Sequence, residues 1–271
     1  MSATKDPANM RDILNQFDEG RADPVRASQQ AMRTPLPKRF YKQASVAERP
    51  GEDYPAAVEL DGKPVRTPAR NVLGFPTRAA AQLVADEFEA QDIEIDPAEM
   101  PVTRLSNTAI DGVSADKQAV YEDILRFAAS DLLCYRAGSP AGLVERQNAA
   151  WDPYVDWLRD DLGVNLVLAE GVMHVEQPRE AIAAIGTALR QFHTVYELTC
   201  LHMCTTLTGS AALALALAKG FAEAGVVWGA AHVDEDWNIS QWGEDAEAVA
   251  RRAVREKEFK AAAAMLAAVQ V

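Results

Sequence analysis

The spacing of apolar and polar positions changes several times along this chain, and each change marks a different kind of element. Residues 1–36 are mostly polar, and Ile13, Leu14 and Phe17 give at most one short amphipathic helix. The rest of this stretch is expected to be a mobile extension. Tyr54, Ala56, Val58 and Leu60 then alternate with their neighbours, which is the period of a half-buried strand. Asp61-Gly62 follows, a pair that a two-residue hairpin turn favours because glycine accepts positive φ. The chain returns through "KPVRTP", and Val72–Pro76 adds another short strand, so residues 37–76 predict a small antiparallel sheet.

At Thr77 the period lengthens to that of a helix. Thr77 is a candidate cap, and Ala80, Leu83, Val84 and Phe88 form the apolar face, with Asp86, Glu87 and Glu89 opposite. A loop with two prolines, "IDPAEMPVT", follows. Ser114 is expected to cap a second long helix with Val120, Ile124, Phe127, Ala128, Asp131 and Leu132 along one stripe. Asp152-Pro153 has the residues of a helix start, which predicts a third helix with Trp151, Tyr154, Val155, Leu158 and Leu162 inward. Alternation around Glu170-Gly171 predicts a short hairpin near 163–176. Ile182, Ile185, Leu189 and Phe192 restore the helical spacing, and helices are expected over 193–219, 221–240 and 244–268.

The fold class is therefore α+β. A polar extension over 1–36 precedes a small antiparallel β-rich domain over 37–95 that ends in a helix. A larger, mostly α-helical domain takes 96–271. Composition agrees: 271 residues suit one large or two ordinary domains, and 48% hydrophobic residues suffice for a sizeable core. The formal net charge of −13 repels phosphate backbones and anionic lipid, which argues against non-specific binding to nucleic acid or membrane surfaces. It does not argue against a protein with a basic or apolar surface. The longest apolar run, Leu207–Ala218, ends at Lys219, short of the roughly 20 residues of a membrane span. The N-terminus has no apolar core of a secretory signal. Three cysteines cannot all pair with one another, which favours reduced thiols in a cytosol-like compartment.

Three clusters have residues that carry chemistry. In "DLLCYRA", Cys134 would end a helix, where the dipole disfavours a thiolate. Packing is the better reading there, with Asp131 and Arg136 organising the helix end. In "HTVYELTCLHMC", His193, Glu197, Cys200 and Cys204 fall on one helical face. They are zinc-type ligands, but three turns of helix are too long for all four to reach one ion. His193 reads by default as a hydrogen-bonded core histidine. A metal-dependent or thiol enzyme using His193, Glu197 and Cys200 is the rival from a different class. In "HVDEDWNISQWGEDAE", acids surround Trp237 and Trp242. The bland reading is a solvated helix edge with both tryptophans turned inward. The functional one is a docking patch for a basic protein partner. Nucleotide-binding loops, a nucleophile elbow and HExxH are absent.

Six segments in order, "RFYKQASV", "LDGKPVRTPA", "MPVTRLSNTAID", "DLLCYRA", "QNAAWDPYVDW" and "VDEDWNISQWGEDAEA", resemble the assembly chaperones of the ATP synthase alpha subunit, the ATP12 family. The resemblance runs from about Arg39 to the C-terminus. Phe88 stands where the family often has tryptophan, and the spacing of acids after Gly243 departs from its pattern. The resemblance implies a chaperone without catalytic residues, metal or cofactor. Its partner is the unassembled alpha subunit, which it shields from aggregation until the beta subunit takes its place. It implies a β-rich domain followed by a helical one. The family occurs in the mitochondrial matrix of eukaryotes and in some bacteria; residues 1–36 include several acids and do not read as a mitochondrial presequence, so a bacterial cytoplasmic member, monomeric when free, is expected. The residues expected to meet the partner are Glu235, Asp236, Trp237, Trp242, Glu244 and Glu247.

Overall fold

A computed structural model describes residues 36–171 and 173–270. The extension expected over 1–36 lies outside them, save its last residue. Strand β1 (Ala44–Glu48) pairs antiparallel with β2 (Ala56–Leu60) over its whole length, Ala44 opposite Leu60 and Glu48 opposite Ala56. Asp61 and Gly62 both have positive φ, as the turn chemistry predicts, and return the chain into β3 (Lys63–Pro64). Strand β4 (Gly74–Phe75) pairs with the other end of β2, which completes a four-stranded sheet.

Helix α1 (Arg78–Glu89) begins where expected, with Thr77 Oγ1 accepting from the Ala80 amide. It lays Ala80, Val84 and Phe88 on the sheet, and Leu83 is half-buried. The proline loop is shorter than expected, because Pro101–Asp111 is a helix, α2. Pro101 suits a first helical position, where its missing N–H is not needed. The cap comes from far back: the Glu87 carboxylate of α1 accepts from Val102 N and Thr103 N, both at 2.7 Å. Helix α3 (Lys117–Ala128) starts from Asp116 rather than Ser114. Ser114 instead donates its hydroxyl back to Ile110 O.

Helix α3 stops at Ala128, so Asp131 and Leu132 leave its stripe and Cys134 is not its end. Leu132–Cys134 is a single tight turn and Tyr135–Arg136 a short strand, β5. The third helix, α4 (Ala141–Leu162), starts well before the expected Asp152-Pro153 boundary and runs through Pro153. Trp151, Tyr154, Trp157 and Leu158 of α4 are buried, and the Trp151 indole donates to Ala230 O at 2.7 Å. Burial of three aromatic rings outweighs the hydrogen bond that proline removes. The hairpin near 163–176 does not form among the described residues. Ala169–Glu170 (β6) pairs parallel with β5, and the Gln177 side chain bonds both the N–H and C=O of Val167 at 2.9 Å. An amide side chain takes the place of the returning strand.

Helices α5 (Arg179–Leu189), α6 (Val195–Thr208), α7 (Ala211–Ala218), α8 (Ala224–Ala231), α9 (Val233–Trp242) and α10 (Ala246–Val269) complete the chain. The expected run over 193–219 is broken at Gly209, whose left-handed backbone closes α6. The run over 221–240 is broken at His232. Helix α6 is buried on nearly every side, with α2, α3, α7 and α10 packed around it. The apolar cluster continues into the sheet: Tyr196 of α6 lies 5.3 Å from the Phe75 ring and donates to Gly74 O at 2.6 Å. Among the described residues no helix is long and apolar enough to cross a membrane.

Candidate partner-binding site

The rival chemistry finds no assembled site among the described residues. Helix α6 starts at Val195, so His193 is off it and exposed, contrary to its reading as a core residue. The buried histidine of this segment is His202, 2.7 Å from Asp123. Glu197 closes a capping box: its carboxylate accepts from Thr194 N at 3.0 Å and from His193 N at 3.2 Å. Cys200 and Cys204 are fully buried, and burial first of all pushes the Cys204 thiol up to about 12 and Cys200 well above its ordinary value. Among the described residues no group of three His, Cys, Asp or Glu side chains is placed to hold a metal ion.

Cys134 is likewise a buried thiol, pushed up to about 12 by burial and then by the charge of Asp131. The role of "DLLCYRA" lies in its ends. Asp131 organises a distant helix start rather than the end of its own: it accepts from Ser210 Oγ at 2.6 Å, Ala212 N at 3.0 Å and Leu133 N at 3.1 Å. At the other end Arg136 donates to Leu133 O, Asn148 and Asp152. The Ala137 amide donates to Gln147 Oε1, and Gln147 Nε2 donates to Asp234 Oδ1, each at 2.7 Å. A buried amide on α4 thus fixes the first turn of α9.

Helix α9 and the segment leading into the start of α10 carry all six of the expected docking residues. Trp237 is half-buried: its ring edge lies over Gly142 of α4, where an added Cβ would come within 2.8 Å of it. The Arg146 guanidinium sits 4.9 Å from the centre of that ring, a cation–π contact. Trp242 is 86% exposed, so the inward reading holds for Trp237 and fails for Trp242. Gly243, at φ 85°, closes α9 directly after Trp242 and leaves the indole at a corner. Asp236 is paired with Arg252 of α10, and Glu247 with Arg251 one turn on. Glu244 is exposed.

Glu235 lies 3.9 Å from His232 Nε2, and its side chain is 39% exposed. Burial holds His232 below its ordinary value, and the ring's Nδ1 takes the Trp228 carbonyl at 2.7 Å, which assigns the proton to Nδ1. At neutral pH the contact is therefore no ion pair, and the Glu235 charge faces outward uncompensated by that ring. The patch is an exposed indole among carboxylates, held from below by α4. Sequence reasoning missed the α4 side of it. The spacing of Gly142, Arg146 and Ala149 on one helical face is the available signal, hidden by placing the helix start at residue 152.

The sequence profile described as ATP12 chaperone protein matches residues 38–159. A candidate chaperone from Agrobacterium tumefaciens is 52% identical in sequence, with a TM-score of 0.83 over 96% of this chain and 97% of that one. Atp12 from Paracoccus denitrificans is 33% identical, with a TM-score of 0.79 over 86% of this chain and 98% of that one.

Proposed function

Because this chain belongs to the ATP12 chaperone family, we propose that it binds the unassembled ATP synthase alpha subunit and shields the surface that the beta subunit later covers. A subunit without its neighbour exposes apolar area, and such area drives aggregation. A protein that covers it reversibly needs no bond-making step. The observation that carries the reading is Trp242, an almost fully exposed indole at the end of α9, the helix that also carries Glu235 and Asp236, with Glu244 and Glu247 following it in the chain. Tryptophan contributes large apolar contact area, and Glu235 and Glu244, the acids of the patch not paired with an arginine among the described residues, select a basic rim on the partner.

Handover sets the affinity. The complex forms with a Kd of roughly micromolar, about −8 kcal/mol, so that the beta subunit displaces the chaperone by binding more tightly. The free chaperone is a monomer of the bacterial cytoplasm in this reading. Coexpression of the alpha subunit with the Glu235→Lys/Glu244→Lys variant tests it. The alpha subunit shifts to the insoluble fraction; if it remains as soluble as with the parent chain, the acidic patch is not the docking site.

A further inference from the structure

The face of α4 that seats Trp237 does not end there. Gly142, Arg146, Ala149 and Pro153 recur at three- and four-residue steps and share one side of the helix. Their span is about 16 Å at the α-helical rise. At the far end Ala149 and Pro153 face Phe221 and Val226 across a socket of about 290 Å³, with Tyr154 in its wall. Phe221 stacks on Trp157 at 4.8 Å and meets the Tyr154 ring edge-on at 5.7 Å. Phe221 and Val226 are nevertheless 42% and 60% exposed, so this apolar surface opens to solvent.

Among the described residues, two polar groups there lack the partner that a helix or a core normally supplies. Residue 153 is proline, so the Ala149 carbonyl has no helical N–H to accept. The Tyr154 hydroxyl is buried without a hydrogen bond. Two exposed acids flank the lining residues in the chain, Glu145 one turn before Ala149 and Glu223 directly after Ala222, whereas Asp152 pairs with Arg136 and Asp156 with Arg159. Arg146, a cation on the same face, is stacked on Trp237.

We propose that this socket receives one bulky apolar side chain from a client segment with basic residues beside it. The volume suits a leucine or phenylalanine side chain and not a folded element. An extended segment brings backbone N–H groups, which is what the Ala149 carbonyl lacks. Exposed Glu145 and Glu223 beside the lining residues, on a chain of formal charge −13, favour lysine or arginine next to the inserted residue. Continuity along α4 puts the socket and the Trp237–Trp242 patch on one strip, about five residues of extended chain apart. The identity of the client rests on the function proposed above; the chemistry of the socket does not.

The test uses the full chain, with methyl NMR signals of Ala150 and Val226 as the readout and two probes. One is the peptide Lys-Lys-Phe-Leu-Lys, the other the isolated alpha subunit. The peptide shifts both signals, a peptide with Ser-Ser for Phe-Leu does not, and Ala149→Glu abolishes the Val226 shift. Val226→Glu, at an exposed position, weakens alpha-subunit binding by about tenfold or more with an unchanged melting temperature. Unmoved signals with the first peptide, or alpha-subunit binding unaffected by Val226→Glu, overturn the socket even if Glu235→Lys/Glu244→Lys still acts. Shifts that grow with protein concentration alone assign the face to a second copy of the chain and also overturn it. Peptide shifts without any alpha-subunit binding leave the socket in place and sink the proposed client instead.

Discussion

Asp131 sits where three chain segments meet, fully buried, between the tight turn that follows α3 and the start of α7. Burial is the largest influence on its carboxyl and raises it from 3.8 to about 6, against the hydrogen bonds from Ser210, Ala212 and Leu133 that pull it down. The folded state therefore holds this proton more tightly than the unfolded chain does. The associated stability is present in full below the unfolded value and is lost as pH rises through about 6, a loss of about 3 kcal/mol at roughly 1.4 kcal/mol per unit. Urea unfolding of Asp131→Asn alongside the parent at pH 4.5 and 7.5 checks the sign: the parent's advantage over the variant shrinks at the higher pH. Asp131→Ala is worse at either pH, by about 2–4 kcal/mol, because three buried donors lose their acceptor. The sequence makes "DLLCYRA" legible as a structural segment. It does not reveal that Asp131 serves a helix start 79 residues further on, at Ser210, since nothing local records a long-range cap.

The same limit governs the elements. Where a helix carries its own cap, as at Thr77, the start is legible to the residue. Where the cap is borrowed, as α2 borrows Glu87, the helix is invisible behind two prolines. Glu87→Ala accordingly frays the first turn of α2 and costs about 1–3 kcal/mol, measured as faster amide exchange at Val102 and Thr103. Helix α4 shows the opposite failure. Asp-Pro is a sound local start signal, but packing of Trp151, Tyr154 and Trp157 extends the helix on both sides of it. A proline inside a helix costs about 3 kcal/mol, and its stiffening of the unfolded chain returns about 0.4–1 kcal/mol. Pro153→Ala is thus expected to stabilise the protein by about 2–2.6 kcal/mol in denaturant unfolding. It also gives the Ala149 carbonyl a helical donor, so it weakens any ligand that relies on that carbonyl.

At the scale of the whole molecule, alternation followed by helical spacing is enough for the α+β class, and the charge balance argues only against nucleic acid and anionic lipid; the protein partner rests on the family resemblance. Forty acidic against 27 basic residues create a field that steers a basic surface from a distance. Association with the alpha subunit should therefore slow about tenfold between 50 and 500 mM salt, with dissociation nearly unchanged, in stopped-flow fluorescence of Trp242. A salt-independent on-rate would remove charge steering from the proposed mechanism. The proposed docking patch is legible because it lies within one continuous stretch; its floor on α4, 87 residues before Asp234 at Gln147, is not.

Helix α10 has a consequence for how the molecule comes into being. It walls in α6, and Thr77 at the head of α1 donates to Ala268 O near its end at 2.7 Å. Translation delivers that wall after everything it covers. Until residues 246–269 emerge from the ribosome, α6, enclosed on nearly every side in the finished fold, has an open flank. A member of a chaperone family is thus itself a nascent chain in need of cover.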